Sequence, residues 1–356
     1  MTRRTATLVV SGVLLAGLVA VAALLPVPYV VFRPGPMTDV LADGEDGPII
    51  DVDGAPVFDT PGSLDLTTVG VTPAGARMDL LTAMRAWVDD DRAVVPRDIV
   101  YPGNPTTDEA RERNAAVFSS SQDLAAVAAL RYLGFDVPVE ADQVVVREVL
   151  DDAAAEGVLL TDDVIVSVDG QQVVSPSEVV DAVTAVEPGE SITMVVVRDG
   201  AELTLDVPTS ESEVTAGQAA IGVIVGSSWE LPVDVTIDVP GSIGGSSAGL
   251  VFAVGVVDTM TEEPLIDGLA VAGTGEISPD GTVGAISGVQ QKIAAARDAD
   301  AVLFLAPSAN CDGVANSSPG DMTVVPVDTL DEAVEVVQGF QAGDVASLPS
   351  CPAEAA

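Results

Sequence analysis

An uncharged, largely apolar stretch runs from Thr5 to Phe32, immediately after Arg3 and Arg4. Roughly 20 apolar residues span a bilayer, and arginines on the short N-terminal side place that side in the cytoplasm. The pattern predicts an N-terminal transmembrane helix, single-pass in the cell membrane, with the bulk of the chain extracytoplasmic. A cleaved signal peptide is the alternative, because V-A-V-A-A offers small residues suited to cleavage. The length of the apolar run favours the anchor.

Beyond it the rhythm breaks up. Residues 33–131 begin with short β-like pieces such as S-L-D-L-T-T-V-G-V, punctuated by proline, glycine and aspartate. D-L-L-T-A-M-R-A-W-V (79–88) has helical periodicity, and the stretch from Thr106 to Gly134 predicts one long helix or a helix pair. Thr107 and Glu109 suit its N-terminus. From 132 to 208 the pattern alternates: Q-V-V-V-R-E-V is a strand and S-P-S-E-V-V-D-A-V-T-A-V a capped helix. S-I-T-M-V-V-V-R-D-G-A-E-L-T-L-D-V-P is a hairpin turning at Asp199-Gly200. A linker is expected over 209–218. Strands, helices and a hairpin around Pro279-Asp280-Gly281 then fill 219–340, before a tail at 341–356. This order predicts an α+β multidomain chain.

Composition narrows the function. The 356 residues carry a formal charge of −41, with 55 acidic residues against 14 basic ones. No basic stripe exists to neutralise phosphates, so nucleic acid is excluded as a partner. Such a surface promotes solubility; a specific cationic partner is the minority reading. Cys311 and Cys351 are the only cysteines. In an exported chain they readily form a disulfide tying down the tail, the alternative being two free thiols. With no histidine and no C-x-x-C, no metal site or other cofactor is called for.

Between the strand and the capped helix lies D-D-A-A-A-E-G-V-L-L-T-D-D-V-I-V-S-V-D-G-Q-Q-V. A small-residue helix (Ala153 to Ala155) leads to Gly157, an acidic Asp163, a strand and an Asp169-Gly170 turn. This order resembles the PDZ signature of bacterial proteases, although Asp162 stands where that family usually has glycine. PDZ domains take up extended peptides by adding a strand to a sheet edge. The best candidate for a carboxylate-receiving loop is Y-L-G-F-D-V, with Leu133, Gly134 and Phe135; otherwise it only ends a helix.

The chemistry concentrates at G-S-I-G-G-S-S-A-G-L-V-F-A-V (241–254). Gly244 and Gly245 permit unusual backbone angles, and a helix follows whose free N–H groups and dipole can stabilise an oxyanion. Ser246 or Ser247 is then a candidate nucleophile, or merely an N-cap. Without histidine, no Ser-His-Asp triad can form. Lysine can serve as the base if burial lowers its pKa, and the chain has a single lysine, Lys292, beside 13 arginines. An exposed cation could equally be arginine; a deprotonable amine could not. The S-x-x-K arrangement is absent, since Val289 occupies the serine position. Lys292 lies in Q-K-I, not in a Gly-Lys-Ser/Thr phosphate loop, so no ATP motor is visible.

G-S-S-A-G-L-V-F-A-V followed by A-G-T-G-E-I-S-P-D-G-T-V-G-A-I-S-G-V-Q-Q-K-I resembles the proteolytic domain of Lon-type serine–lysine proteases. The anchor, PDZ module and Lon-like domain together resemble the membrane-anchored PDZ-containing Lon-like proteases of Gram-positive bacteria. The resemblance implies Ser247 as nucleophile, Lys292 as general base and Thr274 as the hydroxyl that helps hold the lysine. Glu276 matches the motif glutamate, with no chemical role assigned. Ser246 replaces a common proline, and Ser287 the first glycine of a Gly-Gly turn. The implied protein is a membrane-tethered, ATP-independent serine endopeptidase acting on polypeptides, whose PDZ module recruits substrate or gates access, and which can assemble as a homo-oligomeric ring. A catalytically inactive PDZ scaffold is the alternative.

Overall fold

A computed structural model describes residues 3–44, 47–103, 105–141, 143–212, 215, 217–241 and 243–352. Two sheets organise the chain. The larger is six-stranded and mixed, in the order Thr323–Val327, Leu303–Pro307, Ala270–Gly273, Ser63–Val71, Tyr29–Asp39, Ala93–Pro96. The first four strands run parallel and the last two pairings are antiparallel. Strands from before residue 100 therefore sit beside strands from after residue 270. Leu303–Pro307 is buried at every position, as a central strand covered on both faces must be.

The second sheet is antiparallel: Ala201–Pro208, Ser191–Arg198, Val164–Val168, Gln143–Val149 and Val223–Ser228 in order, with Gln171–Gln172 paired to Val164–Val168. Its core joins Val144, Val146, Ile165, Ile192, Met194 and Val196 to Val179 and Val183 of the Pro176–Thr184 helix. The Asp199-Gly200 turn has positive φ at both residues (51° and 75°), the mirror-image turn that matches strand twist. Asp162, in place of the family glycine, also adopts the left-handed conformation (φ 69°). Aspartate visits that region more readily than most residues.

One helix, Thr107–Tyr132, spans the segment that allowed either one helix or two. Its capping box joins Thr106 and Glu109. It packs on the helix Gly249–Thr259, apolar from Gly249 to Val257, where Phe118 meets Phe252 edge-to-face at 5.6 Å. Gly249–Thr259 lies under the large sheet with Leu250 through Val257 all buried. It needs no amphipathic pattern because it is surrounded.

The expected transmembrane helix, and the single-pass extracytoplasmic location built on it, does not hold. Among the described residues, no helix is long and apolar enough to cross a membrane. The helix at the start covers only Arg3–Leu24 and includes both arginines. The rest of the apolar run is extended instead: Pro26–Val27 pairs with Met78–Asp79, and Tyr29–Asp39 enters the large sheet with Val30 fully buried. Proline lacks the N–H that a continuing helix requires, and the β-branched valines after it fill a core. The apolar count of the run therefore overstated the length of its helix.

Cys311 and Cys351 are joined by a disulfide, which ties the segment after the last helix, Leu330–Gln341, back to the body. Because Phe252 is fully buried between the long helix and the sheet, Phe252→Ala is expected to cost about 3–5 kcal/mol. Urea unfolding followed by far-ultraviolet circular dichroism would measure it.

Candidate active site

Three elements converge on one buried amine. The Val289–Asp298 helix presents Val289, Ile293 and Ala296 to a core containing Ala272 and Phe304 of the large sheet. Lys292 is thereby carried inward and is only 2% exposed. Its Nζ lies 2.6 Å from Ser247 Oγ and 2.8 Å from Thr274 Oγ1. Thr274 is fully buried at the end of strand Ala270–Gly273, and its hydroxyl donates to the Ser247 carbonyl at 2.9 Å. The Gly275 N–H donates to that same carbonyl at 2.9 Å. Ser247 is thus gripped through its backbone while its hydroxyl faces the amine.

None of the ion pairs among the described residues involves Lys292. Burial without a counter-charge disfavours the ammonium form and lowers its pKa from the ordinary 10.5 to about 7. A substantial fraction is therefore neutral near pH 7, with a lone pair available to accept the Ser247 proton.

The serine turn is shaped by close approach. Gly245 has φ 97°, and its N–H donates to the Asn114 carbonyl at 3.0 Å. A Cβ on Gly244 would come within 2.6 Å of Asn114 Cβ, and one on Gly249 within 2.7 Å of Ile277 Cγ2. The helix begins at Gly249, after the cap residue Ala248, so Ser247 stands just outside its mouth. Ser246 turns the other way and donates to the Glu276 carboxylate. The two hydroxyls are thus separated by partner: Ser247 faces the amine and Ser246 a carboxylate. On the lysine side, Gly288 (φ 74°) starts the helix, with Val69 too near to admit a side chain. Asn310 holds Ile286 at both its N–H and carbonyl (2.9 Å each).

A cleft of about 840 Å³ opens over Ser247. Its walls include Val69, Val71 and Val95 from the large sheet, and Arg113 and Asn114 from the Thr107–Tyr132 helix. The sequence carried no signal for Asn114: its contribution is a main-chain carbonyl, which any residue type would supply.

The other named residues lie elsewhere. Leu133, Gly134 and Phe135 close the long helix, and their N–H groups donate to the carbonyls of Ala129, Arg131 and Leu130 respectively. Leu133 and Phe135 pack against the core of the large sheet. Those three donors are committed within the chain. Cys311 and Cys351 are joined to each other, and Cys311 begins the short helix Cys311–Ala315 beyond the lysine helix.

A buried lysine within hydrogen-bond range of a half-buried serine therefore lies at the edge of the cleft. Residues 213–338 match the model of the Lon protease (S16) C-terminal proteolytic domain, and residues 131–209 that of the PDZ domain. The chain thus carries a PDZ-domain match followed by a match to a Lon-type proteolytic domain, and the two together support a serine-type peptidase. It is similar to Lon protease of Clostridioides difficile (33% identity over 29% of this chain and 14% of the relative). It is also similar to Lon protease 2 of Herpetosiphon aurantiacus (31%, over 45% and 20%) and to Lon protease 2 of Bacillus subtilis (33%, over 29% and 19%). The alignments thus span well under two thirds of each relative's length. Among solved structures, the PDZ domain of an SdrC-like protein from Listeria innocua aligns with 24% of this chain and 93% of its own (23% identity, TM-score 0.22). The corresponding domain from Listeria monocytogenes aligns over 25% and 93% (26% identity, TM-score 0.23).

The depressed pKa of Lys292 has a signed consequence for stability. Between pH 7 and 10.5 the unfolded chain holds a proton at this residue that the folded chain has lost, so this contribution to stability rises with pH across that window. Comparing wild type with Lys292→Met in urea at pH 7 and pH 10 should show the increment in the wild type only.

Proposed function

We propose that this chain is an ATP-independent serine endopeptidase in which Ser247 is the nucleophile and Lys292 the general base. The observation that carries the reading is the 2.6 Å approach of a buried, unpaired amine to the Ser247 hydroxyl. Neutral Lys292 takes the proton as Ser247 Oγ attacks the carbonyl carbon of a peptide bond. Amide groups at the mouth of the Gly249–Thr259 helix and its dipole stabilise the oxyanion. The lysine ammonium then returns the proton to the leaving amine, giving an acyl-enzyme and the first product. Water attacks the ester, again losing its proton to Lys292, and Ser247 is released. Thr274 positions the lysine: its hydroxyl is oriented by donation to the Ser247 carbonyl and accepts from Nζ.

No phosphate-loop motif occurs in the 356 residues, which supports peptide cleavage here without ATP. The substrates proposed are already unfolded polypeptides or exposed loops, because a cleft of this size accepts an extended chain and not a folded domain. Assembly of several copies into a ring follows from the likeness to Lon proteases and belongs to this proposal.

Cleavage of a fluorescently labelled unfolded protein tests the assignment. Ser247→Ala and Lys292→Arg are each expected to lower turnover by about 10³-fold or more, the second because arginine keeps its proton. Ser246→Ala should retain cleavage. Equal cleavage by wild type, Ser247→Ala and Lys292→Arg would discard the assignment. Thr274→Val should lower kcat by roughly tenfold to a hundredfold with little change in KM, as loss of positioning does. The pH profile of acylation by a serine-directed fluorophosphonate should rise to a plateau with its half-point near pH 7, following the Lys292 pKa. A half-point near 10 would remove the role given to burial.

A further inference from the structure

The edge of the PDZ sheet is not open. Strand Val223–Ser228 pairs antiparallel with Gln143–Val149 along its whole length, from Val223 opposite Val149 to Ser228 opposite Gln143. The pairing is extended at its start, where the N–H groups of Ala155 and Leu150 donate to the carbonyls of Ile221 and Gly222 at 2.9 Å each. Arg147 reaches across to the Ser227 carbonyl at 2.7 Å. Alternate side chains of the segment enter the PDZ core. Ile221 is buried within it, beside Val179 and Val183 of the Pro176–Thr184 helix, and Val223 and Val225 pack against it. Gly222 (φ 69°) lies so close to Ala153 that a Cβ would come within 2.5 Å of the alanine Cβ.

This is the geometry by which such domains hold ligands. A PDZ domain gains affinity from main-chain bonds to an added strand and specificity from pockets for alternate side chains. Here both are supplied by the chain itself, from residues that also fall within the Lon proteolytic match (213–338). Directly afterwards, Trp229 and Leu231 pack against the core of the large sheet, and Asp234–Ile237 pairs with Ile50–Asp53 before the chain reaches the serine turn.

We propose that Ile221–Ser228 is a resident ligand of the PDZ strand-addition site, and that an incoming extended peptide with aliphatic residues at alternate positions binds only in exchange for it. The site selects aliphatic, β-branched side chains because Ile221, Val223 and Val225 fill it. The occupying strand continues into the proteolytic domain, so exchange releases a segment on the path to Ser247. The inference rests on the PDZ geometry and is independent of the roles given to Ser247 and Lys292.

The test uses the full chain and a fluorescein-labelled synthetic peptide of residues 219–228, with binding read by anisotropy. Glu148→Cys/Ile224→Cys places a cysteine pair at facing positions on partly exposed strand residues; oxidation then locks the strand in place. Wild type is expected to bind the peptide and the locked protein at least tenfold more weakly. Gly222→Ala, which crowds Ala153, is expected to bind at least tenfold more tightly than wild type. Equal binding by locked and wild-type protein would overturn the inference, since the peptide would then sit elsewhere. Absence of binding by both wild type and Gly222→Ala would overturn it too, because the strand would then be a permanent part of the sheet. Should Gly222→Ala fail to fold, the comparison of locked with wild-type protein still decides.

Discussion

The molecule depends on keeping one amine out of water without giving it a counter-charge. An ammonium group in that position loses its hydration and recovers little from two neutral hydroxyls, so the neutral form gains population near pH 7. Everything around Lys292 serves that condition. The lysine helix packs flat on the sheet, the adjoining turn is drawn in by Gly288 and clamped by Asn310, and Thr274 offers an uncharged partner. A carboxylate in place of the threonine would hold the proton on the lysine and remove its capacity to accept another.

The contrast with the PDZ domain is instructive. Asp163 is just as inaccessible, yet it is paired with Arg198 through two bonds of 2.6 and 2.7 Å and accepts a third from the Leu160 N–H. Arg198 also donates to the Val158 carbonyl. That is how a charge is kept in an interior: each partner compensates the desolvation of the other, and breaking one leaves the second exposed to the full penalty. A paired buried charge holds a loop in register. An unpaired one gives up or takes a proton within an accessible pH range. The chain uses both arrangements.

Residues near the two ends of the described chain build the site jointly. Ser63–Val71 and Tyr29–Asp39 continue the parallel strands that carry Thr274, and Asn114 receives the Gly245 N–H. The PDZ domain is inserted between these contributions in sequence but not in space. Its own sheet is completed by Val223–Ser228, so the two cores share a continuous run of chain rather than a free linker. That strand leads within a few residues to Asp234–Ile237, which pairs with Ile50–Asp53 on the way to the serine turn.

Local chemistry was legible in the sequence. A chain with one lysine and no histidine limits which group can accept a serine proton, and the ordered motifs around residues 247, 274 and 292 marked the three side chains that the fold brings into hydrogen-bond range. Periodicity marked the helices and hairpins, since it reflects which face of each element meets a core. It overstated the first segment: an apolar run reports that residues avoid water, not whether a bilayer or a sheet provides the shelter, and Pro26 onward entered a sheet. Only the tertiary structure decided which strands neighbour which, that Asn114 lends its carbonyl to the serine turn, and that the PDZ edge is filled from within. Those outcomes are made by backbone groups pairing across long sequence separations, and every non-proline residue carries the same N–H and C=O. Side-chain identity does not encode which distant partner they find.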